Sequence, residues 1–127
     1  MNFLLVGESQ FKSLPSNVKT RKVSHSEVPQ VLAESRVAIC SLETNVLNAG
    51  SSPTKVAEYI AFNLPIVSWK GSLDSAIPYF PVSNERQLRE VIERLVDENF
   101  RYDPQLVKEF DWNIIAERTE NAMKELL

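Results

Sequence analysis

Residues 48–59 concentrate side chains that could bind an anion. The segment reads Asn-Ala-Gly-Ser-Ser-Pro-Thr-Lys-Val-Ala-Glu-Tyr. Gly50, Ser51 and Ser52 let the backbone approach a ligand closely, and a serine followed by proline is typical of a helix start. The free N–H groups and the dipole at a helix N-terminus favour a negative group such as a phosphate. The segment therefore predicts an anion site, with Lys55 beside it.

Lys55 and Glu58 are three residues apart, so a helix places them on neighbouring rows of one face. A simpler interpretation makes them a surface ion pair, contributing about 0.2–0.5 kcal/mol. In that interpretation the serine and proline before them are ordinary capping residues. The local pattern by itself favours the simpler interpretation.

Five segments have the composition of strands: Phe3–Val6, Val18–Val23, Val37–Cys40, Pro65–Trp69 and Tyr79–Val82. The apolar runs of the first and third predict buried parallel strands. The second alternates weakly, which predicts a more exposed strand. The prolines at positions 78 and 81 place the fifth at a sheet edge.

Helices are predicted after four N-cap residues: Ser26, Ser52, Asn84 and Asp111. Gln87 is placed for a capping box with Asn84. A short helix is expected over residues 104–110. Residues 42–52 are expected to form a loop. The last two main helices carry apolar stripes, formed by Leu88, Val91, Ile92, Leu95 and Val96, and by Trp112, Ile115, Ala116, Thr119, Met123 and Leu126. The alternation of strands and helices predicts an α/β fold, a Rossmann-like three-layer domain with a mostly parallel sheet. Ligands of such sheets bind at the carboxyl ends of the strands.

The composition limits the possible function classes. The chain has 127 residues, 43% of them hydrophobic, and a formal net charge of -3, which predicts one globular domain over 1–127 and no nucleic-acid partner. Cys40 and His25 are the only cysteine and histidine. They exclude an internal disulfide and a Cys/His zinc site, and they favour a reducing, cytoplasmic location. The apolar run at Phe3–Val6 is too short for a signal peptide or a membrane span, so any membrane contact is expected to be indirect.

Four single residues have simple structural interpretations. Cys40 is expected to be a small buried strand residue. His25 is expected at the surface or in a cap. Trp69 and Trp112 are expected to be packing anchors, and Trp69, at a strand end, could also face the cleft.

The run SSPTKVAEYIAFNLPIVSW resembles the C-terminal domain of retaining glycosyltransferases with the GT-B fold, the large family that includes glycogen and sucrose synthases. Members carry Pro-x-Lys-x-x-Glu-Tyr, a small-residue helix and then a Pro-Val-Val-type strand. The matching residues here are Pro53, Lys55, Glu58, Tyr59, Ala61 and Pro65-Ile66-Val67. The flanks are similar in order: a strand ending at Gly7, the helix and strand in 31–40, and Phe110-Asp111-Trp112 where members have Phe-Ser-Trp.

This resemblance implies a C-terminal GT-B half that binds a nucleotide-diphosphate sugar for glycosyl transfer with retention of configuration and no bound metal or other cofactor. Glu58 would bind the ribose hydroxyls, since a carboxylate accepts two hydrogen bonds from a vicinal diol. Ser51 and Ser52 would lie at the diphosphate, and Gly7, Gly50 and Lys55 complete the expected donor site. The implied partner is an N-terminal acceptor-binding domain, in cis or in trans.

The sequence departs from the family pattern in three ways. Many members have a second glutamate facing the donor sugar, eight positions before the first, where this chain has Gly50. The family's first strand, with its Arg and Lys diphosphate ligands, and the whole acceptor domain would precede Met1. The chain alone is therefore expected not to transfer sugar. An inactive nucleotide-binding or regulatory module of the same fold is the alternative, and a flavodoxin-like or receiver-like domain would need an acidic cluster or flavin-phosphate loop that we do not find.

Overall fold

The computed structural model describes residues 1–7, 11–50 and 54–127. They form an α/β structure of small parallel sheets and helices, which confirms the predicted fold class at this level. The chain divides into two compact units, Met1–Glu34 and Ser35–Leu127. Among the helices of the described residues, none is long and apolar enough to cross a membrane.

The first unit contains a two-stranded parallel sheet. Strand β1 (Phe3–Val6) pairs with β2 (Val18–Arg21), with Phe3 opposite Val18 and Val6 opposite Arg21. A 3-10 turn (His25–Glu27) and helix α1 (Val28–Glu34) follow. Helix α1 buries Val31 and Leu32.

The prediction that β1 is a buried strand was wrong, although its bounds and its parallel pairing were right. Leu4, Leu5 and Val6 are all exposed. The reason is the size of the sheet: with two strands, each is an edge, and a parallel strand is buried only where neighbours flank it and helices cover both faces. Strand β2 has the same burial pattern as β1, so it is not the more exposed of the two.

The first helical segment begins two residues earlier than predicted. Ser24, not Ser26, is its N-cap: the Ser24 N–H donates to Glu27 Oε2 at 2.7 Å, and the Glu27 N–H donates to the Ser24 carbonyl. Hydrogen bonds from the Ser24 backbone N–H and from the Ser24 side chain hold the pKa of the Glu27 carboxyl below its ordinary value. The Ser26 hydroxyl instead shares a hydrogen bond with Ser24 Oγ.

The second unit contains a three-stranded parallel sheet in the order β3 (Ala38–Cys40), β4 (Ile66–Trp69), β5 (Phe80–Val82). The helices of this unit are α2 (Val46–Ala49), α3 (Thr54–Ala61), α4 (Glu85–Asp97), α5 (Pro104–Glu109) and α6 (Trp112–Leu126). The central strand β4 is buried along most of its length, and Pro81 lies in the edge strand β5 as predicted. The most deeply buried side chains are Val56, Ile60, Ile66, Val67, Leu73, Val82 and Leu95.

The connection between α3 and β4 is fixed by Tyr102. Asn63 ends the helix as predicted, in the left-handed conformation with φ 54°. Its side-chain oxygen accepts the Tyr102 N–H at 3.0 Å, and the Tyr102 hydroxyl donates to the Leu64 carbonyl at 3.0 Å. The ring packs edge-on against Phe100, with centroids 4.8 Å apart. Burial raises the pKa of Tyr102 to about 12.

Helix α4 begins at the predicted cap but with a shifted capping pattern. Asn84 Oδ1 accepts the Gln87 N–H at 2.9 Å. The Gln87 side chain accepts from the Ser83 N–H at 2.8 Å, one residue before the position that a capping box requires. Ile92 and Leu95 are the buried members of its stripe.

Helix α6 begins at its predicted cap, where the Asp111 side chain accepts the Asn113 N–H. Its stripe is not packed: none of its residues is buried. Trp112 is 72% exposed, so its predicted role as a packing anchor was wrong. The helix follows α5 and contacts that short helix, which offers too small a surface to cover four turns.

Candidate functional site

The carboxyl ends of β3 and β4 lie at one edge of the sheet because the strands are parallel. Cys40 ends β3 opposite Ser68, one residue before Trp69 ends β4. The segment after β3 is not the plain loop that was predicted. It contains helix α2, a single turn in which the Ala49 N–H donates to the Asn45 carbonyl at 2.9 Å.

The loops after β3 and β4 are tied to each other at this edge. Thr44 Oγ1 donates to the Lys70 carbonyl at 3.0 Å. Gly71 has φ +77°, and a Cβ added there would lie 3.3 Å from Thr44 Cγ2. The Gly71 N–H donates to the Tyr79 hydroxyl at 3.1 Å. The edge is therefore a defined surface in which a glycine allows one loop to approach the other.

Two buried serines fix the edge from within. Ser68 and Ser72 are both buried, and the Ser68 hydroxyl donates to the Cys40 carbonyl. Because that bond uses the only Ser68 hydroxyl proton, Ser72 is the donor in the hydrogen bond between the two hydroxyls. This serine pair was not predicted from the sequence. The available signal was a serine inside an apolar strand followed four residues later by a serine in a turn.

Helix α3 carries the predicted site residues on the side that is not buried. Val56 and Ile60, four residues apart, are fully buried and anchor the helix. Lys55 is exposed, while Glu58 and Tyr59 are half-buried. The predicted placement of Lys55 and Glu58 on one helix is confirmed.

Electrostatic effects connect the start of α3 with the end of β3. Burial raises the pKa of the Cys40 thiol, and the Lys55 ammonium partly offsets that rise. Burial also raises the pKa of the Tyr59 phenol, and the Cys40 thiolate that forms at alkaline pH and the Glu58 carboxylate act in the same direction. The Lys55 ammonium on α3 and the Cys40 thiol at the end of β3 therefore influence each other electrostatically.

The other predicted site residues have separate outcomes. Gly50 lies in an exposed turn after α2, and a Cβ added there would have no described atom within 4 Å. Ser51 and Ser52 lie outside the described residues. Gly7 belongs to the first unit, has φ +120° and donates its N–H to the Arg21 carbonyl at 3.0 Å. Its role in donor binding remains a prediction.

The described residues contain no group of three or more His, Cys, Asp or Glu side chains arranged to hold a metal ion. The edge offers a phenol and several hydroxyls, and helix α3 carries the ammonium of Lys55 and the carboxylate of Glu58. Such groups bind and orient a polar ligand by charge and hydrogen bonding.

Comparisons with known proteins give no significant match: no family model, no curated protein and no solved structure is similar enough to this chain to be identified as a relative.

Proposed function

We propose that this chain is a nucleotide-diphosphate-sugar binding domain with the architecture of the C-terminal half of a GT-B glycosyltransferase. Its task is to hold the activated donor during glycosyl transfer. The observation that carries the proposal is the arrangement on α3: the exposed Lys55 and the half-buried Glu58 lie three residues apart on one helix, and the Lys55 ammonium lowers the pKa of the Cys40 thiol at the end of β3.

Lys55 supplies the charge for the diphosphate. Its ammonium is exposed and acts on Cys40 at the end of β3. The carboxyl ends of parallel strands are the usual place for a ligand in open α/β sheets. An ammonium on a flexible stem binds phosphate as a point charge.

Glu58 supplies the acceptors for the ribose. It lies three residues beyond Lys55, which is roughly 4.5 Å along a helix axis. A nucleotide can therefore place its diphosphate at one side chain and its sugar at the other. The half-buried position of Glu58 strengthens hydrogen bonds to its carboxylate relative to those in bulk water.

The rest of the edge supports this task through its rigidity. The hydrogen bonds between Thr44 and Lys70, and between Gly71 and Tyr79, hold the two neighbouring loops in place. The buried Ser68–Ser72 pair fixes the strand below them. A binding surface held in advance loses less conformational entropy when the ligand arrives.

A second candidate is a nucleotide-binding or regulatory module without transfer activity. The observation that favours it is Gly50, an exposed glycine at the position where many similar glycosyltransferases have a glutamate for the donor sugar. Both candidates require a nucleotide site on α3. They differ in whether the donor sugar attached to the diphosphate adds affinity. Affinities for UDP-glucose, GDP-mannose and ADP-glucose, compared with those for UDP, GDP and ADP, therefore separate the two candidates.

A four-affinity cycle tests the assignment of Glu58. The affinities of the wild type and Glu58→Gln are measured for the tightest-binding nucleoside diphosphate and for its 2′-deoxy analogue. Loss of charged hydrogen bonds should weaken binding of the ribonucleotide to Glu58→Gln by about 1–3 kcal/mol. The deoxy analogue should lose affinity for the wild type and little more for the variant, because both changes remove the same contact.

The matched control is Glu85→Gln, which makes the same chemical change at an exposed position in the first turn of α4. It should leave all nucleotide affinities unchanged. Additive losses in the cycle, or equal losses in the two variants, would overturn the ribose assignment and leave Glu58 as a surface residue.

A further inference from the structure

Helix α6 presents most of its apolar stripe to solvent, while Ile115 within the stripe is half-buried. Its 15 residues span about 22 Å, and none of them is buried. Trp112, Met123 and Leu126 are 72%, 61% and 87% exposed. The members of the stripe recur every three or four residues from 112 to 126, so they fall on one face of the helix.

The one hydroxyl within this stripe is already satisfied by the helix itself. Thr119 Oγ1 donates to the Ile115 carbonyl at 2.8 Å. The side chain can therefore enter an apolar contact without leaving a polar group unpaired. Ala116 and Ala122 flank it with small side chains, which allow another helix to approach closely at the middle of the stripe.

Charged residues border the stripe in a self-complementary pattern. Arg118 and Glu125 are seven residues apart, or two helical turns, and lie along the same edge. Glu120 and Lys124 lie on the other side of the stripe, where they form an ion pair of 2.7 Å within the helix. This edge of the helix thus carries a positive group, Arg118, followed by a negative group, Glu125. The same edge of an antiparallel second helix has the opposite order of charges and complements it.

We propose that α6 is a self-association surface that pairs with α6 of a second copy of this chain in antiparallel orientation. A two-fold axis near position 121 places Arg118 opposite Glu125 of the partner subunit, and the symmetry repeats this pair. The same axis sets Thr119 against Ala122 and Ile115 against Leu126 of the facing helix. An antiparallel seam of this kind matches charged positions along one edge.

A parallel pairing fits the charges less well. In that orientation Arg118 would face Met123 of the partner subunit, and the two Trp112 side chains would meet at one end of the seam. Charge complementarity therefore selects the antiparallel arrangement. Because one helix face per subunit is a small interface, dimers should form with a dissociation constant of about 10–500 µM.

Reversing the charges tests both the surface and the orientation. In Arg118→Glu, two glutamates face each other at both symmetry-related charge pairs. In Glu125→Arg, two arginines face each other there. Each single variant should raise the dissociation constant about tenfold, and the double variant R118E/E125R should return it to within about threefold of the wild type. Sedimentation velocity over 5 µM to 1 mM, with circular dichroism for helix content, measures these values.

The double variant isolates contacts between subunits. Neither Arg118 nor Glu125 has a charged residue three or four positions away in the described helix, so the exchange alters no ion pair within α6. Arg86→Glu is the control: it changes net charge equally at a site on α4 that is 88% exposed, and it should leave the dissociation constant within about twofold. Met123→Asp should abolish dimers while keeping the chain folded.

A chain that stays monomeric up to 1 mM overturns the proposal. A dimer that survives Met123→Asp shows that another surface is used and also overturns it. A dimer weakened by both single variants but not restored in the double variant contradicts the antiparallel pairing.

Discussion

Helices α4 and α6 have the same design but different surroundings. Both are capped by a side chain, Asn84 in one and Asp111 in the other, and both carry an apolar stripe. In α4, Ile92 and Leu95 are only 5% and 1% exposed, whereas α6 has no buried residue. The difference shows that a helical pattern identifies the face that can be buried but not what covers it.

The preceding element explains the contrast. Helix α4 follows strand β5 after two residues, so it folds back on the sheet and contacts β4 and β5. Helix α6 follows the six-residue helix α5 and contacts that helix. A sheet offers a broad apolar face for a helix to cover, and a short helix does not. Most apolar residues of α6 are therefore left exposed, while those of α4 pack against the sheet and stabilise it.

Truncation of one leucine in each helix tests whether α4 is packed and α6 is exposed in solution. Leu95→Ala removes a buried side chain and leaves a cavity, so it should lower the free energy of unfolding by about 2–5 kcal/mol. Leu126→Ala makes the same change at an exposed site and should cost less than about 0.5 kcal/mol. Urea denaturation at low micromolar concentration measures both values. Equal losses would mean that α6 is packed in solution as α4 is.

The pH dependence of the free energy of unfolding tests the burial of Tyr102. Burial raises the pKa of Tyr102 to about 12, from an ordinary value of 10.0. The neutral phenol is therefore favoured by folding, so this contribution to stability is complete below pH 10 and is lost as the pH rises toward 12. Tyr102→Phe should reduce the loss of stability over that range.

The hydrogen bond from Tyr102 to the Leu64 carbonyl gives the same variant a smaller effect at neutral pH. Removing it should cost about 1 kcal/mol. Tyr79→Phe is the control, since Tyr79 is a second, less buried tyrosine whose hydroxyl accepts one described hydrogen bond, from the Gly71 N–H. An unchanged alkaline profile in Tyr102→Phe would show that this phenol titrates freely in the folded chain.

Local signals predicted much of the secondary structure. The strand of Phe3–Val6, the cap at Asn84 and the helix end at Asn63 depend on residues close in sequence, and each was found where predicted. The one-turn helix α2 was missed because Val46–Ala49 is too short to show a periodic pattern. The cap at Ser24 was missed because Ser26 is an equally good capping type.

Features that depend on tertiary packing could not be predicted from local sequence patterns. The exposure of β1 and α6 depends on which elements pack against them, and the Ser68–Ser72 pair depends on a turn that folds back over its own strand. For the candidate site, the sequence placed Lys55 and Glu58 on one helix. The electrostatic effect of Lys55 on the Cys40 thiol depends on how the helix and the sheet are arranged, which local sequence signals do not give.

Backbone NMR with a nucleoside diphosphate tests the central claim most directly. Amide signals of the labelled chain are followed during titration with UDP, GDP and ADP up to about 10 mM. This range is chosen because a partial site is expected to bind with a dissociation constant of about 1 mM or lower. The account predicts saturable shifts for Gly50, Lys55 and Glu58 with at least one nucleotide, and smaller shifts along α6. Absence of saturable shifts at these three residues with all three nucleotides, or shifts confined to other parts of the chain, would contradict it.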